Sequence, residues 1–351
     1  MSLAMGIAAC GSASSTPDEQ PLGVGGAAGQ SGGAGAAGEV ATAWPTVDPD
    51  PTAAPTGEPT FEPPTPPVAA TCTGKKLGAG DRVMTVPSGG LVRTVLVHVP
   101  ASYDPAKGTM LVLNFHGYSS DGAQEQVLSR MNQASDANGF IAVHPYGVAN
   151  SWNAGVCCGT AWLDGTDDVG FVGKMLDQLE SDYCIDPKQV HSTGMSNGAF
   201  LSHRLACEMS DRIASIAPVA GVVGVPACNP SRPVPVLHFH GTSDLLVPYK
   251  GGQSGGIPGV PAFISVAESI AGWRERDKCP PGDGKPFYQQ GDATCVRWSG
   301  CEQGSEVVLC TLEGGGHTWP GGVPVPALGK TSNDINATGA MVQFFKAHPM
   351  P

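Results

Sequence analysis

The residues with the clearest chemistry lie in a short segment flanked by glycines, which reads Gly194-Met195-Ser196-Asn197-Gly198. A short segment at residues 189–193 that is expected to be a strand precedes it, and a helical pattern follows it. A serine at a strand-to-helix turn needs small neighbours two positions away on either side, because the tight turn leaves no space for Cβ atoms there. The pattern therefore predicts a nucleophilic serine at position 196. The alternative is an ordinary turn in which both glycines serve packing alone.

A serine nucleophile requires a base, and the base requires an orienting carboxylate. Asp244 lies just beyond the apolar stretch 234–239, and His317 lies in a glycine-rich segment beyond the stretch 306–312. If both stretches are strands, the two side chains lie in loops at strand ends. The chain order serine, aspartate, histidine is the one used by hydrolases with a doubly wound sheet. Ser196, Asp244 and His317 are therefore predicted to form a catalytic triad.

Other residues compete for two of these roles. His240, four residues before Asp244, is the alternative base, although a structural role suits it better. Asp167 or Asp168 is the alternative acid, but both precede Ser196 in the chain and suit the start of a helix.

Acyl transfer to a serine also requires N–H donors for the negative oxygen of the tetrahedral intermediate. The N–H of Asn197 opens the predicted helix and is one candidate. The second is expected in the loop after the stretch 111–115, where Gly117 permits a turn and the N–H of Tyr118 is available. The alternative is that His116 and Gly117 form a tight turn with no catalytic part.

Short apolar runs alternate with helical patterns through most of the chain. The runs predict buried strands at residues 111–115, 140–143, 213–219 and 234–239. Apolar residues at helical spacing predict helices over residues 169–179 and 263–273 and near 336–347. This alternation predicts an α/β fold with a mostly parallel, doubly wound sheet and helices on both faces. Such sheets bind ligands at the carboxyl ends of their strands, where the triad candidates fall.

The N-terminal fifth of the chain differs in composition from the remainder. Of the 61 residues from 11 to 71, 45 are Ala, Gly, Pro, Thr or Ser, and none is Lys or Arg. Such a segment cannot bury enough apolar surface to offset the entropy of ordering, so a disordered linker is predicted over residues 11–71. The catalytic domain is then expected to span residues 72–351.

Residues 1–10 end in Ile7-Ala8-Ala9-Cys10, which resembles the lipobox of bacterial lipoproteins. The resemblance implies a truncated signal segment and a lipidated Cys10 that tethers the protein to a membrane. A chance cysteine in a low-complexity tail is the alternative. We expect an exported bacterial protein, extracellular or lipid-anchored at the outer cell surface.

Ten of the 11 cysteines lie beyond residue 71. An even number in a domain with few charges predicts up to five disulfides, formed in an oxidising compartment. Zinc is the competing interpretation, but no Cys-x-x-Cys pair occurs. Cys157 and Cys158 are expected to bond different partners, because a ring closed by two adjacent cysteines is strained. Proximity in sequence suggests two pairs, Cys295 with Cys301 and Cys207 with Cys228.

Charge and hydropathy argue against several classes of function. The chain carries a net charge of −12 and has no basic cluster, which disfavours nucleic acid or an anionic lipid surface as a partner. No run of 18 apolar residues occurs, so the sequence predicts no transmembrane helix.

Six motifs together resemble the secreted polyhydroxybutyrate depolymerase and feruloyl esterase-like family of α/β-hydrolases, over roughly residues 72–347. In chain order the motifs read HGYSSDG, SWNAGVCCG, DDVGFV, GMSNGAF, HGTSD and GGGHTWPGG. The resemblance implies an α/β-hydrolase fold with Ser196 as nucleophile, Asp244 as acid and His317 as base. It assigns the backbone donors to Tyr118 and Asn197, and it implies neither a cofactor nor a metal.

The family covers two classes of substrate, aromatic esters of plant polysaccharide and hydroxyalkanoate polyesters. Trp152, Tyr118 and Trp319 are expected to form an aromatic wall beside Ser196 that suits a flat aryl group, with core packing as the alternative for each. The glycine-rich stretch 251–261 is expected at the rim of the cleft.

We therefore expect a secreted serine carboxylesterase, a feruloyl (aryl) esterase that releases phenolic acids from plant polysaccharide. The alternatives are a depolymerase of short-chain polyhydroxyalkanoate or aromatic polyester, and a surface-binding lipoprotein that keeps the fold without catalysis.

Overall fold

The computed structural model describes residues 58–61, 70–75 and 77–351. Ten strands are present in this part of the chain: β1 (Arg82–Ser88), β2 (Leu91–His98), β3 (Thr109–Phe115), β4 (Ile141–Pro145), β5 (Ile185–Met195), β6 (Ser215–Val219), β7 (Val236–Gly241), β8 (Lys285–Gln290), β9 (Ala293–Trp298) and β10 (Val307–Leu312). Seven α-helices accompany them: α1 (Gly122–Ser129), α2 (Met131–Asn138), α3 (Gly159–Leu163), α4 (Asp168–Asp182), α5 (Asn197–Glu208), α6 (Val266–Arg276) and α7 (Ala337–Ala347).

The strands form one sheet in the order β1-β2-β4-β3-β5-β6-β7-β10-β9-β8. The six central strands, from β4 to β10, are parallel. The two strands at each edge, β1 with β2 and β9 with β8, are antiparallel. The predicted α/β class and mostly parallel sheet are confirmed, and the antiparallel edges are an addition that the sequence analysis did not foresee.

Burial explains which strands were visible in the sequence. Every residue of β3, β6 and β7 is buried, because helices cover both faces of the central sheet, and their sequences are correspondingly apolar. In β1 and β2 buried and more exposed residues alternate instead. A half-exposed edge strand of this kind carries a weaker apolar signal than a central one.

Four of the seven helices in the described part of the chain begin at a side chain that caps them. Asp167 accepts the N–H of Gly170 at 2.8 Å and begins α4, as predicted. Ser265 and Glu268 form a reciprocal capping box at the start of α6. No helix in the described ranges is long and apolar enough to cross a membrane.

Five disulfides are present, and two of the expectations about them are wrong. Cys157 is bonded to Cys158 and not to a more distant partner. The other eight cysteines of the described residues pair among themselves, so no other partner is left for these two. Cys295 is bonded to Cys310 rather than to Cys301, because the antiparallel register of β9 and β10 sets these two residues opposite each other. The remaining bonds are Cys72–Cys184, Cys207–Cys228 and Cys279–Cys301, of which the second was predicted.

Residues 1–10, including Cys10, and most of the predicted linker 11–71 lie outside the described residues. Four residues of that predicted linker, 58–61, contact the catalytic body. The ring of Phe61 meets those of Phe287 and Phe344 edge to face, at centroid distances of 5.6 and 5.2 Å. The carboxylate of Glu58 accepts hydrogen bonds from the side-chain amides of Asn336 and Gln343, at 2.9 and 2.7 Å. These four residues thus form an anchor on α7 and the adjoining sheet edge.

We predict that Phe61→Ala lowers the free energy of unfolding by about 2 kcal/mol, because it empties an aromatic site at the periphery of the domain. Val83→Ala is the matched control, since Val83 is 69% exposed and its truncation costs little. Denaturant unfolding followed by tryptophan fluorescence measures both. Equal stabilities of the two variants would contradict the anchor.

Candidate active site

Ser196 lies between the end of β5 and the start of α5, in a conformation that a serine rarely adopts. Its backbone has φ +54° and ψ −121°. A Cβ on Gly194 would lie 2.4 Å from the carbonyl oxygen of Phe115, and one on Gly198 would lie 2.0 Å from the same atom. The two glycines are therefore required by the approach of β3 to the turn. A strained strand-to-helix turn of this kind is the geometry expected of the predicted nucleophile.

Asp244 and His317 meet at the same edge of the sheet. Asp244 follows β7 and His317 follows β10, and these strands are parallel neighbours, with β6 between β7 and β5. Nδ1 of His317 lies 2.7 Å from Oδ2 of Asp244, and both side chains are buried. The loops can approach this closely because Gly241 lacks a side chain: a Cβ there would lie 2.2 Å from the carbonyl oxygen of Gly315.

The environment of Asp244 keeps its carboxylate ionised. Burial alone would raise the pKa of Asp244, but the imidazoles of His317 and His240 outweigh this effect and hold the pKa below its usual range. Oδ1 also accepts the N–H groups of Leu246 and Val247, each at 2.9 Å. Since an ionised carboxylate only accepts, Nδ1 of His317 carries the proton and Nε2 is left as the basic nitrogen.

The backbone donors proposed for the oxyanion lie next to the serine. A Cβ on Gly117 would be 3.5 Å from Cβ of Ser196, so the loop after β3 passes directly beside this serine. The N–H groups of Tyr118 and Asn197 make no backbone hydrogen bond within the described residues. The hydroxyl of Ser196 likewise has no hydrogen-bond partner there, and catalytic hydrogen bonds commonly tighten only when substrate binds.

His116 holds the loop that carries Tyr118. Its Nδ1 donates to the carbonyl of Gly117 at 2.8 Å, and its Nε2 accepts the N–H of Gly147 at 2.9 Å. Burial lowers the pKa of His116 to about 4, so the ring is neutral at ordinary pH and can make both bonds at once. From the sequence, His116 was expected only as part of a turn.

The predicted aromatic wall is wrong for both tryptophans. Trp152 is fully buried, and its Nε1 donates to the carbonyl of His116 at 2.9 Å. Trp319 is also fully buried, and its Nε1 donates to Oγ1 of Thr338 at 2.9 Å. Their proximity to the site in sequence reflects core packing beneath it. Of the three aromatics, Tyr118 alone is exposed, at 40%.

The side chain of Asn197 performs a role that the sequence analysis missed. It accepts the N–H of Trp152 at 2.7 Å and donates to the carbonyls of Trp152 and Cys157, at 3.0 and 2.8 Å. The residue after the nucleophile thereby fixes the loop that carries the Cys157–Cys158 disulfide. The Ser-Trp-Asn and Cys-Cys motifs were visible in the sequence, but no local pattern links them to position 197.

Neither of the two alternative acids, Asp167 and Asp168, bonds His317. Asp168 forms a buried ion pair with Arg93 at 2.9 Å and accepts the N–H of Asn153 at 2.7 Å. Asp167 caps α4. In the described ranges no group of three or more His, Cys, Asp and Glu side chains is arranged to hold a metal ion.

The fold has counterparts among solved structures. An acetyl xylan esterase from Aspergillus awamori superposes with a TM-score of 0.51 at 15% identity, over 71% of this chain and 96% of that one. This likeness and the sheet order define the class as an α/β-hydrolase. No family model matches the sequence.

Curated proteins are similar in sequence as well. A putative esterase, NocK of Nocardia uniformis subsp. tsuyamanensis, is 31% identical over 277 residues, which are 73% of this chain and 79% of that protein. Feruloyl esterase B of Piromyces equi is 32% identical over 235 residues, and a bifunctional acetylxylan esterase/xylanase of Neocallimastix patriciarum is 28% identical over 226. The matched segment spans 42% and 31% of the length of these last two relatives.

The chain belongs to the feruloyl esterase-like family of α/β-hydrolases, whose named members are carboxylic ester hydrolases. The feruloyl esterase-like part of the predicted family is therefore confirmed, and the polyhydroxybutyrate depolymerase part stays a prediction.

We predict that Asp244→Asn reduces kcat for a chromogenic acetate ester by about three to four orders of magnitude, because an amide no longer holds the tautomer with a basic Nε2. Asp167→Asn is the matched control: asparagine caps a helix as well as aspartate does, so activity should be unchanged. Steady-state kinetics decide between the two acids. Loss of activity in the Asp167 variant, with retention in the Asp244 variant, would exchange their roles.

Proposed function

We propose that the chain is an exported serine carboxylesterase that hydrolyses feruloyl and related aryl esters of plant polysaccharide. The proposal rests on the strained Ser196 turn, which lies at the same end of the parallel strands as the 2.7 Å contact between His317 and Asp244. A nucleophile, a base of defined tautomer and free backbone N–H groups are the groups that acyl transfer needs.

In the proposed reaction, Nε2 of His317 removes the proton of Ser196 as Oγ attacks the ester carbonyl. The carbonyl oxygen becomes an oxyanion that the N–H groups of Tyr118 and Asn197 stabilise, and Asp244 stabilises the imidazolium. The imidazolium then gives its proton to the departing alcohol, which leaves an acyl group on Oγ. Water attacks this acyl-enzyme with His317 again as base, and the free acid and Ser196 are restored.

The substrate class draws support from the relatives and from the surface beside the site. Feruloyl esterase and acetylxylan esterase are the names of proteins to which this chain is similar. Tyr118 presents an exposed ring next to a proposed oxyanion donor, and Leu245, which directly follows the acid, is 74% exposed. Exposed apolar side chains close in sequence to the polar groups of a site suit the aryl group of a phenolic acid.

The glycine-rich stretch 251–261 adjoins this surface. The N–H of Gly255 donates to the carbonyl of Leu245 at 2.7 Å. The stretch therefore packs on the residue that follows Asp244, which agrees with its expected position at the rim of the cleft.

The proposed export rests on the disulfides. Five disulfide bonds favour an oxidising compartment outside the cytosol. Lipidation at Cys10 and a flexible tether stay predictions from the sequence. Mass spectrometry of the protein from its native membrane fraction would detect an acylated Cys10, and an unmodified Cys10 would contradict the tether.

We predict that Ser196→Ala abolishes hydrolysis of methyl ferulate and labelling by a fluorophosphonate probe, because both need the Ser196 hydroxyl. Ser120→Ala is a matched control, as Ser120 lies in the neighbouring loop and its hydroxyl bonds Gln124. Hydrolysis of methyl ferulate, acetylated xylan oligomers and hydroxybutyrate oligomers by the parent should be measured together. Cleavage of the hydroxybutyrate oligomers alone would support a polyester depolymerase, and absence of labelling would support a non-catalytic binding protein.

We also predict that Tyr118→Ala raises KM for methyl ferulate about tenfold, because the aryl group loses apolar contact area worth about 1.4 kcal/mol. Its backbone N–H remains, so kcat and the hydrolysis of ethyl acetate should change little. Leu163→Ala, which truncates an exposed apolar residue on α3, serves as control. An equal loss on both esters would mean that the ring supports the loop rather than the aryl group.

A further inference from the structure

Behind the catalytic acid lies a buried row of histidines that the proposed reaction does not use. His240 stacks on His238 with ring centroids 5.3 Å apart and an angle of 9° between the planes. The His203 ring lies 5.7 Å from that of His238, and its Nδ1 accepts the indole N–H of Trp273 at 3.0 Å. All three imidazoles are buried.

The bonds of His240 define its protonation. Its Nε2 lies 2.8 Å from the carbonyl oxygen of Val247, and a carbonyl can only accept, so Nε2 carries a hydrogen. Its Nδ1 lies 3.1 Å from Nε2 of His238. These two nitrogens share one hydrogen, since they make a single hydrogen bond.

The same Nε2–H group faces the catalytic carboxylate. Nε2 of His240 lies 3.4 Å from Oδ2 of Asp244, the oxygen that also receives Nδ1–H of His317 at 2.7 Å. Two hydrogen bonds of Val247 fix the short loop from Asp244 to Val247. Its N–H donates to Oδ1 of Asp244, and its carbonyl accepts Nε2–H of His240.

We propose that His240 is a positioning residue of the catalytic acid. It fixes the Asp244–Val247 loop through Nε2–H, and it presents the positive end of that N–H dipole to Oδ2 of Asp244. The dipole withdraws negative charge from the oxygen that faces His317, so His240 sets how strongly the carboxylate stabilises the protonated base. This role rests on the proposed Ser-His-Asp reaction.

Four other titratable or charged groups lie near this contact. They are His238 on β7, His203 on α5, Arg276 on α6, and Tyr249 in the loop after β7. Burial lowers the pKa of His203 to about 3 and that of His238 well below its usual value, so neither ring gains a proton between pH 5 and 8. A shift of the pH profile on changing His240 therefore reports the contact with Asp244.

The test compares His240→Leu with His240→Gln through the pH dependence of kcat/KM on a chromogenic acetate ester. Leucine removes the N–H, whereas the glutamine amide keeps a donor at a similar reach. We expect the leucine variant to lose about tenfold in plateau kcat/KM, as for one hydrogen bond to a charged group. The acidic limb of its pH profile should move up by about one pH unit. Without the N–H of His240, the Asp244 carboxylate keeps its full negative charge and stabilises the protonated His317 more strongly.

The glutamine variant should keep the acidic limb near that of the parent. His191→Leu is the control for general damage to the core, since His191 is equally buried but bonds Ser215 on β6. An acidic limb in His240→Leu that coincides with the parent's, or that moves to lower pH, overturns the proposal. If the parent protein shows no ester hydrolysis that Ser196→Ala removes, the proposed function is refuted instead.

A second measurement needs no variant and holds if His240→Leu fails to fold. Nitrogen-15 NMR of the histidine-labelled parent should find a hydrogen on Nε2 of His240, as the bond to the Val247 carbonyl requires. A ring whose hydrogen is on Nδ1 alone overturns the proposal.

Discussion

The site depends on one steric constraint, the approach of backbone to backbone at the carboxyl ends of the central strands. The carbonyl of Phe115 occupies the space that side chains at positions 194 and 198 would need, and the carbonyl of Gly315 does the same opposite Gly241. Because no Cβ intervenes, the serine turn, the acid loop and the base loop can converge within a few ångströms of the sheet edge. Rigid parallel strands then hold those loops with little freedom, which is the condition that catalysis by preorganised groups requires.

Polar bonds within these loops add a second level of order. Three loops around the site are each fixed by a buried side chain. His116 holds the loop of Tyr118, Asn197 holds the loop of Cys157, and His240 holds the loop of Asp244. Buried polar groups of this kind are costly when they are left unsatisfied, so each loop has a strong preference for one conformation. The strained backbone of Ser196 persists because these surroundings determine it.

The fold could be predicted, and the three triad candidates could be proposed, because their signals are local. The glycine spacing around Ser196 and the apolar runs that end before Asp244 and before His317 each lie within a dozen residues. The errors came from contacts that are distant in sequence. Trp152 and Trp319 lie beside the site in sequence, yet their indoles donate inward to His116 and Thr338. The partner of Cys295 was set by the register of two strands, and the contact of Phe61 with Phe344 spans most of the chain.

The anchor at residues 58–61 decides how a mechanical load would enter the domain. A pull transmitted along the chain from any attachment ahead of residue 58 reaches the Phe61 and Glu58 contacts on α7 before it reaches the first strand. If those contacts give way, the load passes through the Thr71–Lys107 bridge to Cys72, whose covalent bond to Cys184 lies next to the start of β5. The serine turn is at the opposite end of that same strand. The aromatic contacts of Phe61 and then the Cys72–Cys184 disulfide therefore lie between an external force and Ser196.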